Sequence, residues 1–84
     1  MNLYKISQCV NTGYDTFDAA VVAAPDEAAA RNMNPAHGGP MNWTALDNYP
    51  SWARNPVDVR VELIGVAAEG THQSLIVASI QNPG

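Results

Sequence analysis

Basic residues are scarce in this chain: Lys5, Arg31, Arg54 and Arg60 are the four cations against eight carboxylates, giving a net charge of −4. General binding to nucleic-acid backbone is therefore not expected, because that affinity needs several phosphates neutralised together on one basic face. The carboxylates are scattered from Asp15 to Glu69 without a run, as in a solubilising surface rather than a mimic of nucleic acid. Cysteine is scarcer still. Cys9 stands alone, so no intramolecular disulfide can form, and two histidines without a Cys/His cluster offer no zinc pattern. No apolar stretch approaches the roughly 20 residues of a membrane span, and the opening from Met1 to Ile6 lacks the basic segment and apolar run of a secretory leader. A cytoplasmic protein is the expectation.

The familiar catalytic patterns are absent as well. Ser7, Ser51, Ser74 and Ser79 have no nucleophile-elbow surroundings, and Gly13, Gly38, Gly39 and Gly65 form neither a Walker loop nor a dinucleotide fingerprint. Cys9 could meet His37 or His72 in the fold, but a structural cysteine is the plainer role. The chain is expected to be no enzyme and to need no metal or cofactor. Its 84 residues fit one domain, 1–84, whose small size leaves a marginal core, so self-association is expected, with a dimer as the default.

What is present points to an α+β fold. Residues 3–10 read as a strand with Tyr4, Ile6, Gln8 and Val10 on one face, and Ala19 to Ala24 as a second strand of small and β-branched residues, the two making a hairpin. Pro25-Asp26-Glu27 opens a helix that must end near Asn34, because Pro35 pushes its predecessor out of helical geometry. Ala29 and Met33 are its expected contacts with a sheet. Val57, Val59, Val61 and Leu63 alternate with Asp58, Arg60 and Glu62 in the period of a half-buried strand over 57–64. Leu75 to Ile80 is apolar on both faces, which implies a central position or a second covered face. The expected architecture is a mainly antiparallel four-stranded sheet with one short helix and a long ordered loop. Its core is expected to include Ile6, Val21, Ala29, Val59, Val61, Leu63, Ile76 and Val77.

The stretch from Pro35 to Pro56 is longer than unstructured connections in compact domains usually run, beyond about 12–15 residues. Trp43, Leu46, Tyr49 and Trp52 make it too aromatic for a solvated linker, and its prolines reduce the entropy lost on ordering it. The candidate ligand-binding residues lie in and beside it: Arg31, His37, Gly38, Gly39, Trp43, Tyr49, Trp52 and Arg54. Paired glycines let main-chain N–H groups approach an anion, Arg31 stands one turn before them, and an aromatic face near Arg54 could stack a purine. The ordinary alternatives are a cation at a helix C-terminus, a flexible turn and a small core beneath the loop.

The segment Tyr14-Asp15-Thr16-Phe17-Asp18-Ala19-Ala20-Val21-Val22-Ala23-Ala24, followed by Glu27-Ala28-Ala29-Ala30-Arg31 and Asn34-Pro35, resembles small uncharacterised proteins encoded by tailed bacteriophages. The opening Leu3-Tyr4-Lys5-Ile6-Ser7-Gln8, the strand ending Leu63-Ile64-Gly65 and Ala78-Ser79 near the end are also similar, so the resemblance covers both ends of the chain. It implies phage origin and action in the bacterial host cytoplasm. Small phage accessory proteins often counter host defence, by binding a defence protein as anti-CRISPR proteins do or by sequestering a nucleotide immune signal as sponge proteins do. The resemblance thus implies one of two partners, a nucleotide-derived small molecule held by a homo-oligomer or a host defence protein.

Overall fold

The computed structural model describes residues 1–44 and 51–81. Its elements run β1 (Asn2–Ser7), β2 (Thr16–Ala24), α1 (Glu27–Arg31), a 3-10 turn (Pro56–Asp58), β3 (Arg60–Val66) and β4 (Ser74–Gln81). The strands form one antiparallel four-stranded sheet in the order β3-β1-β2-β4, with α1 against one face. This is the α+β architecture that the periodicities lead to.

The first hairpin is regular from Asn2 opposite Ala24 to Ser7 opposite Ala19. β1 stops at Ser7 because the Gln8 side chain takes over from the ladder. Its Nε2 donates to Asn11 O at 2.7 Å and Phe17 O at 2.8 Å, while its Oε1 accepts from Val10 N at 3.0 Å and Asn11 N at 2.8 Å. A buried glutamine is tolerable only when its donors and acceptor are satisfied in this way. Val10, expected on the same face as Ile6, is consequently carried out into solvent by the turn.

Asp26 caps α1: its backbone is extended and its Oδ1 accepts from Ala29 N at 2.8 Å. Pro25 therefore lies before the cap rather than within the first turn, and the helix is only five residues long. Ala30 and Met33 are its most buried contacts, with Ala29 half-buried beside them. Asp26→Ala should lower stability by about 1 kcal/mol, the usual worth of such a cap, while Asp26→Asn should retain most of it. Urea denaturation would measure both. Equal midpoints for wild type and Asp26→Ala would mean that packing alone holds the helix.

The short helix explains the long loop. Five helical residues rise about 7.5 Å, whereas four strands spaced about 4.8 Å apart span more than 14 Å across, so α1 cannot cover the sheet alone. The loop supplies the remaining cover. Met33, Pro35, Trp52, Ala53 and Val59 are buried, and Met41 and Trp43 pack on the core. Backbone bonds pin the loop at several points: Met41 N to Asn32 O at 2.7 Å, Asn34 N to Gly39 O at 2.7 Å, and Phe17 N to Ser51 O at 2.8 Å.

The core differs from expectation at the sheet edges. Ile6 and Val59 are buried, Ala29 and Val61 are packed against the core, but Leu63, Ile76 and Val77 are exposed. β3 and β4 are the two edge strands; α1 packs on β3, β1 and β2 without burying Leu63, and register shifts break the edge strands' alternation near Tyr4 and Val22. Val21 falls on the face away from the helix. The valine-alternating segment also begins differently, since Pro56–Asp58 form a 3-10 turn and the strand starts at Arg60. β4, whose two apolar faces suggested a central strand, is an edge, and among the described residues nothing covers Val77 and Ser79 on its face away from α1.

Candidate functional site

The loop residues singled out from the sequence are mostly occupied with holding the fold. Arg31 Nη2 donates to Val59 O at 3.3 Å and lies 3.7 Å from Glu27 Oε1, one turn back on the same helix. The first contact ties α1 to the segment entering β3. Gly38 N donates to Asn34 O at 2.7 Å, and Gly39 N donates to His37 Nδ1 at 3.0 Å. Both amides are thus engaged inside the turn. Trp43 Nε1 donates to Asn32 Oδ1 at 2.8 Å and its ring packs partly on the core.

Trp52 is fully buried, so its ring has no face to offer a ligand in this chain. It belongs to the main core with Tyr4, Ile6 and Val22. Arg54 is exposed, and Tyr49 lies outside the described residues.

Two hollows among the described residues lie on the opposite face of the sheet, and the strand register shows how they arise. Side chains alternate across a strand, so residues opposite one another share a face. On the face away from α1 one row runs Glu62, Lys5, Val21, Val77, and the next runs Arg60, Ser7, Ala19, Ser79. The β3 and β1 half of this surface is polar and charged, and the β2 and β4 half is apolar and small. A hollow of about 220 Å³ is lined by Lys5, Ser7, Arg60, Val61 and Glu62. A second, of about 140 Å³, is lined by Lys5, Ala19, Ala20, Val21, Val77, Ala78 and Ser79. Lys5 borders both.

Two of the chain's four cations therefore meet on one surface. Lys5 and Glu62 are cross-strand neighbours, yet no ion pair joins them within 4 Å among the described residues. The hollow can accept an anionic group through Lys5, Arg60 and the Ser7 hydroxyl. Glu62 beside them disfavours a bare polyphosphate and can accept hydrogen bonds from hydroxyl or amino groups. The alternating strand showed Arg60 and Glu62 on its polar face, but Lys5 and Ser7 were missed because only the register of β1 with β3 brings them there.

Among the described residues no cluster of His, Cys, Asp or Glu could hold a metal ion, and no helix is long and apolar enough to cross a membrane. Comparison with protein-family models, with curated proteins and with solved structures finds no match to this chain.

Proposed function

We propose that this protein acts by binding without turnover, as a phage counter-defence protein that sequesters a nucleotide-derived signal. The observation that carries the reading is the sheet face on which Lys5, Ser7, Arg60 and Glu62 adjoin an apolar strip through Val21 and Val77. A nucleotide has the matching division, with an anionic phosphate, hydroxyl and amino donors on its sugar or base, and a flat body that lies against apolar surface. Pockets for such ligands combine apolar lining with a few placed polar groups. Both hollows are shallow, so a ligand held tightly would need a further wall, which an oligomer can provide.

The purified protein should be incubated with a panel of cyclic oligonucleotides and ADP-ribose derivatives, then denatured and the released compounds analysed. Intact release of one compound is the expected result, and a converted product would mean an enzyme instead. Charge-assisted hydrogen bonds are worth about 1.5–3 kcal/mol, so Lys5→Ala and Arg60→Ala should each weaken binding by roughly 10- to 100-fold. Both side chains are exposed, so the fold should survive. If Arg54→Ala were the damaging change and these two were silent, the ligand would belong to the loop.

The alternative is an anti-CRISPR-like inhibitor that covers a host defence protein. It is favoured by the exposure of Leu63, Ile64 and Val66 along β3, an apolar ridge apart from the hollows. Retention of no nucleotide, together with co-purification of a host protein, would decide for it.

A further inference from the structure

The two edges of the sheet are unequally guarded. β3 carries Arg60, Glu62 and Gly65 and loses register with β1 near Tyr4, all features that discourage another strand from pairing. β4 reads Ser-Leu-Ile-Val-Ala-Ser-Ile-Gln: eight residues with no charge, no proline and no glycine. Its ladder to β2 occupies one side, and among the described residues no strand pairs with the other. Ile76, Val77 and Ile80 are 52%, 58% and 51% exposed. Ile76 is the one extra residue on β4, between the Val22–Leu75 and Val21–Val77 pairs, and Val77 to Gln81 continues without an extra residue of its own. A row of unpaired N–H and C=O groups on such a strand is a template for strand addition.

We infer that β4 pairs antiparallel with β4 of a second copy of this chain, joining two sheets into one of eight strands. A second copy is the occupant that this uncharged strand suits, because the same strand is its own complement in an antiparallel pair. Each chain carries a net charge of −4, so two copies repel each other over most of their surfaces, and β4 is the strand on which they can meet without opposing like charges. Antiparallel pairing of a strand with itself is two-fold symmetric by construction, so a single surface satisfies both partners. The pairing also accounts for apolar residues on both faces of an edge strand: Leu75 and Ala78 pack on the core, while Val77 extends the uncovered apolar strip toward its symmetry mate. This inference does not depend on the nucleotide reading, because strand pairing uses the backbone of the β4 edge whether or not the apolar hollow beside Val77 holds a ligand.

Sedimentation of the full chain across the micromolar range should show a shift from 9.0 kDa toward twice that mass. Ser79 is exposed and is the middle residue of Val77 to Gln81, so a two-fold axis there brings its two copies close. Ser79→Lys should weaken dimerisation by about tenfold or more through like-charge opposition, with an unchanged circular dichroism spectrum. Val66→Lys, an exposed site on the other edge, should leave the dimer intact. In the wild type, β4 amides turned away from β2 should gain hydrogen-exchange protection as concentration rises. A chain that stays at 9.0 kDa, or a dimer that leaves those amides unprotected, would overturn the inference.

Discussion

Trp52→Ala should abolish most of the stability of this protein. Truncating a buried tryptophan costs about 3–5 kcal/mol, and a chain of this length has a total of roughly 4–13 kcal/mol at about 0.05–0.15 kcal/mol per residue. The melting temperature should fall by about 12 °C or more, since each kcal/mol moves a domain of this size by roughly 4–8 °C. The severity follows from what surrounds the ring. The sheet and helix contribute Ala20, Ala24 and Ala30 to the core, side chains too small to fill the space beneath the loop, and Trp52 is the largest of the fully buried residues. Trp52→Phe separates volume from polarity. The indole Nε1 is buried without a hydrogen-bond partner, so removing that N–H loses no bond. Phenylalanine should therefore cost only about 1–2 kcal/mol, from the smaller ring. Thermal and urea melts of the three proteins check the ordering. Were Trp52→Ala as stable as wild type, the loop would not be the second half of the core cover.

The strands were legible in the sequence because their signals are local. Val59 and Val61 alternate with charges, and the small residues of β2 suit a strand beneath another layer, so the type of each element could be read from a few neighbouring residues. Strand order was not legible: nothing near Leu75 to Ile80 says that β4 pairs with β2 and lies at the edge. The error over Leu63, Ile76 and Val77 has that cause, since alternation identifies a face without saying whether anything covers it. Pro35 set only an outer limit for the helix, which ends at Arg31 rather than near Asn34, and its start was displaced because Asp26, not Pro25, makes the capping bond to Ala29.

The candidate site was less legible than the fold. Aromatic content identified Trp43 and Trp52 as needing an explanation, and burial in the core is that explanation for Trp52. Composition cannot distinguish a core ring from a stacking platform, because both require the same residue. Lys5 and Arg60 are 55 positions apart in the chain, and they share a surface only through the pairing of Ser7 with Arg60 and Lys5 with Glu62. A site made by sheet register leaves no motif.

Gly38→Ala is expected to be the most damaging of the glycine substitutions, and the reason is close approach to β4 rather than freedom for a ligand. Gly38 has φ of +82°, and a Cβ there would lie 2.7 Å from Leu75 N and 2.9 Å from Leu75 Cβ. Neither atom is the tip of a flexible side chain, so the turn must move off the strand or the strand off its partner. Gly70 supplies an internal control: its φ is +86°, yet a Cβ there would meet nothing within 4 Å. Gly70→Ala should therefore register the left-handed backbone cost alone, about 1–2 kcal/mol. Gly38→Ala adds overpacking, typically about 1–3 kcal/mol, for a total near 2–5 kcal/mol. At Gly39 the nearest atoms are those of the exposed His37 ring, 3.0 Å away, and the ring can swing aside. Gly39→Ala should thus cost less than Gly38→Ala. Denaturant midpoints for the three alanine variants would test the ordering. Equal losses at Gly38 and Gly70 would show that the turn does not press on β4. If Gly38→Ala kept wild-type stability and lost only ligand, the turn would be part of the binding site after all.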